Sequence, residues 1–157
     1  MRYYMIDRVT ALTPGESAEG VKSISLSEDI LQDHFPDYPV FPGALIIEAM
    51  AQLGGFLLEM SLNTPTVVRR ALLAQVDQVK FHRIAEPGDQ LLIRAELGPT
   101  IEDAAKVHGH VQCGSERVAQ GTLTFIMKEL DLEAIHQQRR MCYRIWTRHL
   151  ALQTPIL

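Results

Sequence analysis

The chain has few of the features that would place it outside the ordinary globular proteins. Its only cysteines, Cys113 and Cys142, form no CxxC pair and no disulfide framework, which predicts a reducing, cytoplasmic environment. Its first residues, MRYYMIDRVT, lack the apolar segment and cleavage site of a secretory signal. It has no excess of positive charge, since its net charge is −4, and this disfavours wholesale binding to nucleic acid.

What is present fits one globular domain. Of the 157 residues, 46% are hydrophobic and 22% are charged, and the mean hydropathy is +0.00. A chain of this length can bury a substantial core. We find no internal repeat and no low-complexity segment.

The most informative stretch is HFPDYPVFPGALIIEAMAQLGGFLLE, from His34 to Glu59. Its first ten residues contain three prolines, which fix the backbone and predict a stiff extended loop. Pro42-Gly43 then opens a helix over residues 44–58 that is apolar on nearly every side, as in a helix buried in a core. We expect it to be too short and too rich in glycine to span a membrane, which takes roughly 20 apolar residues.

Two polar residues interrupt this apolar helix. Glu48 and Gln52 are four residues apart and therefore share one face. A carboxylate in such a helix must be paired, hydrogen-bonded or protonated, and His34 on the loop just upstream is a natural partner. Gly54-Gly55 weakens the helix, which predicts that a strand backbone packs closely there. The pattern indicates chemistry rather than packing.

Apolar and polar alternation predicts strands on both sides of this helix. We place them over residues 18–26, 71–84, 90–97, 106–113 and 116–127, with Gly98-Pro99 ending the strand over 90–97. Residues 3–12 are predicted to form a short opening strand or a turn. One buried helix followed by four strands predicts an α+β fold, an antiparallel sheet wrapped around one long buried helix. We assign residues 1–128 to this domain and residues 129–157 to a C-terminal helical extension.

The C-terminal extension has helical periodicity over residues 130–150. Its apolar positions are Ile135, Met141, Cys142, Ile145 and Trp146, and arginines occupy the other side. A surface helix docked by this stripe, with a solvated basic face, is one interpretation. A surface for a partner protein or a membrane is the other.

The central stretch resembles the 3-hydroxyacyl-acyl carrier protein dehydratases of the FabZ type. Their motif, H-F-P-x-x-P-[IV]-x-P-G-x-L-[IL]-[IL]-E-A-M-A-Q, is matched throughout residues 34–52, and the segments at 6–9, 80–83 and 87–90 agree with it. The resemblance implies a hotdog fold and the loss of water from a (3R)-3-hydroxyacyl thioester to give a trans-2-enoyl thioester, with no cofactor and no metal. It also implies an acyl carrier protein as partner and a homodimer or trimer of dimers.

The resemblance assigns roles to four residues of this chain. His34 would remove the proton next to the thioester carbonyl, since histidine can act as a base at neutral pH. The main-chain N–H of Gly43 would stabilise the charge on the thioester oxygen. Glu48 would protonate the leaving hydroxyl, and Gln52 would orient Glu48 or a water. In a dimer, His34 of one subunit would face Glu48 of the other.

Further residues around the motif are expected to serve the substrate or its carrier. Phe35 and Pro42 would position the substrate. A basic rim for an acidic carrier protein is predicted at Arg69, Arg70, Lys80, His82 and Arg83, with a generic solvated surface as the alternative. Two acidic residues, Asp33 and Asp37, stand where the family typically has glycine.

Other functions remain as alternatives. A thioesterase of the same fold would hydrolyse the same type of substrate, and a non-catalytic subunit would only bind acyl chains or a partner. His108 and His110 share a strand face, but no third metal ligand is evident, so we interpret them as surface or core residues. We expect no stable membrane insertion. The acyl chain length, the pathway and the carrier are not determined by the residues.

Overall fold

The computed structural model describes residues 3–157 as one antiparallel sheet with two helices. The elements in chain order are β1 (Arg8–Thr13), β2 (Ser17–Ser23), a short 3-10 turn (Asp29–Leu31), α1 (Gly43–Leu62), β3 (Arg70–Phe81), β4 (Gln90–Ile101), β5 (Ala104–Cys113), β6 (Glu116–Lys128) and α2 (Glu133–Thr147). The spatial order of the strands is β1-β2-β4-β5-β6-β3, and every neighbouring pair is antiparallel. The α+β architecture predicted from periodicity is confirmed.

Helix α1 forms the centre of the core. It packs against five strands, β2 to β6, and Leu53, Phe56 and Leu57 on it are completely buried. The alternation along the strands matches this packing, because every second residue of β4, from Leu91 to Ala95, is buried. The helix has 20 residues, so the length argument against a membrane span was wrong. Burial within the protein accounts for its apolar surface instead, since 72% of its most apolar window is buried.

Gly54 and Gly55 in the middle of α1 approach side chains rather than a strand backbone. A Cβ atom on Gly54 would come within 3.2 Å of Val107 and 3.3 Å of the Phe125 ring, and one on Gly55 would lie 3.6 Å from Ala71. The expected backbone contact was therefore wrong. The glycines make room for the large Phe125 side chain between sheet and helix.

The strands after α1 differ from the prediction at their ends. β3 ends at Phe81, so residues 82–84 lie outside it. β4 does not end at Gly98-Pro99 but continues to Ile101, and its register with β5 shifts between Leu97 and Thr100. A bulge accommodates the glycine and the proline that would otherwise interrupt the ladder.

Helix α2 lies against α1 through an aromatic cluster. Tyr143 and Trp146 are buried and pack edge-on against Phe56, with ring centroids 4.9 and 6.3 Å away. Met141 and Ile145, which were predicted to dock, are about half exposed at 50% and 49%. The face that docks is rotated from the predicted stripe, because the buried tyrosine was not counted among its apolar positions. This docking agrees with the interpretation of α2 as a packed helix.

A buried ion pair joins α1 to β3 and ties both to α2. Arg70 Nη1 donates to Glu59 Oε2 at 2.7 Å, and the two side chains are 1% and 2% exposed. Arg70 Nε also donates to His136 Nδ1 at 3.0 Å, and its Nη2 donates to the main-chain oxygen of Leu157 at 3.0 Å. The placement of Arg70 in a basic rim for a carrier protein was therefore wrong. Its charge is neutralised inside the protein, where no carrier can reach it.

The buried thiol of Cys142 makes stability depend on pH. Burial raises the pKa of Cys142 to about 11. The unfolded thiol ionises near pH 9.0 and the folded thiol only near pH 11, so this contribution to stability is full below about pH 9 and is lost as pH rises towards 11. We expect Cys142→Ala to flatten the fall in the free energy of unfolding between roughly pH 9 and 11, measured by urea titrations. An unchanged pH dependence would contradict this.

Candidate active site

The proline loop holds His34 in one orientation. Its Nδ1 lies 2.9 Å from the main-chain oxygen of Val40, and the N–H of Val40 donates to the main-chain oxygen of His34 at 2.7 Å. A carbonyl oxygen can only accept a hydrogen bond, so Nδ1 carries the proton of the neutral ring and Nε2 has the free lone pair. The Phe35 ring, 54% exposed, stacks on the imidazole at a centroid distance of 4.3 Å.

The same loop explains why a position usually occupied by glycine tolerates aspartate here. Asp37 has a φ of 63°, in the left-handed region that glycine enters most easily and that Asp and Asn tolerate best among the other residues. On either side of it, Phe35 and Tyr38 exchange two main-chain hydrogen bonds of 3.0 Å. The turn requires this backbone conformation, and the side chain of Asp37 is exposed.

Substitutions at Asp37 should separate backbone strain from charge. We expect Asp37→Gly to change the free energy of unfolding by less than about 0.5 kcal/mol, because easier backbone geometry offsets the greater entropy of the unfolded chain. Asp37→Val should destabilise by about 1–2 kcal/mol, since a β-branched residue is strained at positive φ. Urea unfolding measures both, and equal values for the two variants would contradict the assignment to backbone strain.

The first turn of α1 presents unpaired main-chain donors next to this loop. Pro42 precedes the helix, and its carbonyl accepts from the N–H groups of Leu45 at 2.9 Å and Ile46 at 3.2 Å. Within residues 3–157 the N–H of Gly43 has no acceptor. A Cβ atom at this glycine would come within 2.9 Å of the Phe81 ring, so only glycine fits without movement of that ring. The site suits an oxygen with developing negative charge.

The Glu48 carboxylate is held by Gln52, whose side-chain amide forms three hydrogen bonds. Gln52 Nε2 donates to Glu48 Oε1 at 2.8 Å and also to the main-chain oxygen of Tyr3 at 2.8 Å. Gln52 Oε1 accepts the N–H of Met5 at 2.9 Å. Since all three bonds fix the amide, Gln52 orients the half-buried carboxylate, as the i,i+4 spacing predicted.

A cavity of about 510 Å³ opens at Glu48 and Gln52. Its α1 side consists of Glu48, Ala51, Gln52 and Gly55, one stripe of the helix. Residues of β3, β6 and α2, of the segment before β1 and of the β6–α2 connection form the other sides. His34 does not line it, and His34 and Glu48 make no hydrogen bond or ion pair with each other within residues 3–157. Within one copy of the chain, residues 3–157 therefore show no direct interaction between His34 and Glu48.

The remaining residues predicted for the basic rim are mostly paired. Arg69 donates to Asp103 at 2.6 Å, and Arg83 bonds Asp89 at 2.7 and 3.2 Å. The guanidinium of Arg83 holds the pKa of Asp89 below its usual range. A second carboxylate, Glu116, lies 3.1 Å from Arg83. Much of the predicted positive charge is therefore neutralised locally.

Lys80 and His82 differ from those arginines. Both are exposed and form no ion pair with residues 3–157. The described residues also contain no group of three or more His, Cys, Asp or Glu that could hold a metal ion. His108 instead lies 3.1 Å from the Thr122 hydroxyl, and His110 lies 3.6 Å from a Glu96 oxygen.

Sequence reasoning missed the main-chain groups that fix the site. These groups are the main-chain oxygens of Val40 and Tyr3 and the main-chain N–H of Met5. The amino-acid type does not reveal them, because nearly every residue has the same backbone polar atoms. The contribution of α2 to the cavity was missed for a different reason. A local sequence pattern predicts that α2 is a helix, but it does not predict which other elements α2 packs against.

Comparison with known proteins places the chain in a family. The model of the FabA-like domain matches residues 1–122. A 3-hydroxyacyl-acyl-carrier-protein dehydratase FabZ from Natranaerobius thermophilus is 47% identical over 125 residues, covering 80% of this chain and 87% of the relative. A protein of the same name from Syntrophomonas wolfei is 38% identical over 125 residues, covering 80% and 85%.

The fold has relatives among solved structures. A chain of the dehydratase heterocomplex ApeI:P from Xenorhabdus doucetiae superposes with a TM-score of 0.64 at 17% identity, covering 87% of this chain and 90% of that one. At this identity the similarity concerns the fold alone, which is the hotdog fold expected from the motif. The family model and the sequence relatives show that the chain belongs to the FabA-like family, in the branch of the FabZ-type dehydratases.

Proposed function

We propose that the chain dehydrates (3R)-3-hydroxyacyl thioesters of acyl carrier protein to trans-2-enoyl thioesters, in fatty-acid biosynthesis or a related acyl-chain or polyketide route. The names of the sequence relatives support this substrate class. The observation that carries the proposal is that the fold holds the side chains of both proposed catalytic residues in place by hydrogen bonds. His34 has one ring nitrogen tied to Val40, and Glu48 is tied to Gln52.

His34 acts as the base in this proposal. Its Nε2 takes the proton from the carbon next to the thioester carbonyl, and negative charge develops on the thioester oxygen. The hydrogen bond from Nδ1–H to Val40 stabilises the imidazolium that forms. The unpaired N–H of Gly43 and the positive end of the α1 dipole stabilise the oxygen.

Glu48 acts as the acid that completes the elimination. As the bond between the third carbon and its hydroxyl breaks, Glu48 delivers a proton to the departing oxygen, directly or through a water, and water leaves. The enzyme then holds one extra proton on His34 and one fewer on Glu48, and proton exchange restores both. Gln52 is a positioning residue, since it touches Glu48 rather than the reacting atoms.

The separation of the two groups within one copy supports a shared site in a dimer. Within residues 3–157, β3 is an edge strand with no partner on its outer side, and its apolar residues Leu73, Val76 and Phe81 are 42%, 40% and 50% exposed. Such an edge is suited to pairing with a second copy. We propose that His34 of one subunit faces Glu48 of the other, in a homodimer or a trimer of dimers. A cytoplasmic location remains a prediction from the two free cysteines.

We propose a smaller carrier-binding rim than the sequence indicated. Within residues 3–157, Lys80 and His82 are exposed cations without ion pairs. Lys80 lies near the end of β3, and His82 directly follows that strand and lines a cavity with Phe81 and Gly43 of the first turn of α1. Arg69 and Arg83 contribute less, because carboxylates already neutralise them. Lys80→Ala should raise KM for a carrier-linked substrate and leave KM for a small thioester unchanged.

The test is an assay of crotonyl thioester with the purified protein. The proposal expects loss of the enoyl-thioester absorbance, because the reverse reaction adds water, without release of free thiol. Free thiol would establish a thioesterase of the same fold instead. No reaction with any thioester, carrier-linked ones included, would establish a subunit that only binds.

A further inference from the structure

The cavity that begins at Glu48 runs away from the catalytic carboxylate along α1. Glu48, Ala51, Gln52 and Gly55 form its helical side, at positions i, i+3, i+4 and i+7 of one face. Gly55 and Ala51 have the smallest side chains of the stripe and leave the space open. The opposite side consists of β3 and β6 residues, among them Leu73 and Phe125.

Helix α2 provides a third wall of this cavity, and Tyr3, Tyr4 and Leu130 complete the lining. The lining residues of α2 are Ile135, Gln138, Arg139, Cys142 and Trp146, which share one face of the helix. The match to the FabA-like domain ends at residue 122, so this wall is built by a segment outside the matched region. α2 therefore shapes the same space that contains the catalytic carboxylate.

We propose that α2 is the end wall of the acyl-binding channel and limits the length of the acyl chain that the protein accepts. The inference rests on the proposed function, because it assigns the cavity to the substrate of that reaction. Ile135, Cys142 and Trp146 are the residues that the distal part of the acyl chain contacts. They are specificity-determining residues, distant from the reacting atoms.

The length of the cavity along α1 sets the expected limit. Seven residues separate Glu48 from Gly55, which is about 10 Å of helix at 1.5 Å per residue. An extended chain advances about 1.2 Å per bond, as three bonds per residue do in an extended peptide. The channel therefore holds roughly eight carbons beyond the reacting ones. Medium-length acyl chains fit, and long ones meet α2.

Buried contacts hold α2 in place, so a long acyl chain can displace this wall only at a cost in stability. His136, next to Ile135, accepts the hydrogen bond from the buried Arg70, and its Nε2 lies 2.7 Å from the main-chain oxygen of Leu130. Arg139, on the cavity face, lies 4.0 Å from Glu59. Tyr143 packs on Phe56 behind the wall, and Trp146, which lines the cavity, packs on the same ring. Moving α2 would break this buried network.

Variants at Ile135 test the wall through chain-length preference. We expect kcat/KM of the native protein to be higher for octenoyl than for hexadecenoyl thioester. Ile135→Ala should raise the dodecenoyl-to-octenoyl ratio about tenfold by admitting about two more methylene groups, because a dodecenoyl chain exceeds the channel by about one carbon. Ile135→Trp should lower the octenoyl-to-crotonyl ratio by a similar factor. Crotonyl thioester is the internal reference, since it is too short to reach α2.

The matched control is Met141→Trp, which introduces the same large side chain on the exposed face of the same helix. Its chain-length ratios should equal those of the native protein. Unchanged ratios in both Ile135 variants would overturn the assignment of α2 as the wall. Failure to hydrate crotonyl thioester would instead overturn the proposed function, so the two failures are distinguishable.

A second test uses the native protein without catalysis and measures the protection of a cysteine from a thiol reagent. Cys142 lines the cavity and Cys113 does not, and both are free thiols. Saturated dodecanoyl thioester should slow the reaction of Cys142 with a small methanethiosulfonate at least about tenfold and leave Cys113 unaffected, measured by peptide mass spectrometry. Butyryl thioester should protect neither. Equal protection of Cys142 by the short and long thioesters would overturn the proposal.

Discussion

Replacing His34 with alanine should lower kcat for hydration of crotonyl thioester by about 10²–10⁴-fold, the usual contribution of a positioned general base. The bond between Nδ1 and Val40 leaves Nε2 as the only basic nitrogen, and alanine removes it. A spectrophotometric assay at saturating substrate measures the loss. His149→Ala, an exposed histidine far along the chain, should retain native activity. Native-like activity in His34→Ala would remove the proposed mechanism.

The same variant tests whether the site is shared between subunits. His34→Ala and Glu48→Gln should each be inactive as pure oligomers. After mixing by joint refolding, half of the dimers combine one subunit of each kind, and one of their two sites has both native groups. Recovery of about a quarter of native activity is expected for independent sites in a symmetric dimer. No recovery would place both groups of each site in one subunit.

Replacing Arg70 with methionine should cost about 3–5 kcal/mol of unfolding free energy, because it leaves the Glu59 carboxylate buried without its partner. The Glu59 side chain is 2% exposed, so solvent cannot compensate. Arg70 also bonds α2 through His136, so that contact is lost as well. Urea unfolding followed by circular dichroism measures the change.

Two further variants separate charge burial from general damage. Arg69→Met, at the neighbouring arginine whose side chain is 32% exposed and pairs with an exposed Asp103, should cost less than about 1 kcal/mol. The double variant Glu59→Gln with Arg70→Met should recover much of the loss. Glutamine removes the buried charge and can still accept the N–H of Ala71, now bonded to Glu59 at 3.0 Å. An equal cost for Arg69→Met and Arg70→Met would contradict the argument.

The loop and helix over residues 34–58 were predictable because their signals are local. Three prolines within residues 34–43 specify a stiff loop, and an apolar helix with only Glu48 and Gln52 as polar interruptions specifies a buried carboxylate beside a partner four residues away. The strand pattern likewise follows from alternation, which depends only on neighbours in sequence. These features required no knowledge of the tertiary fold.

The fate of each arginine could not be predicted in this way. Arg69 and Arg70 are adjacent and chemically identical, yet one pairs at the surface and the other is buried between α1 and α2. Side chains alternate across a strand, and which side faces the protein interior depends on the packing of distant elements. The docked face of α2 was missed for the same reason, since Tyr143 counts as polar or apolar according to its surroundings.

The sequence by itself determined the hotdog elements, the loop with His34 and the face of α1 with Glu48, because proline geometry and helical and strand periods act over a few residues. Only the tertiary structure decided that His34 and Glu48 do not meet within one copy, that Arg70 is buried, and that α2 lines the cavity beside Glu48. These outcomes depend on contacts between residues far apart in the chain, such as Arg70 with His136. No local pattern encodes such contacts.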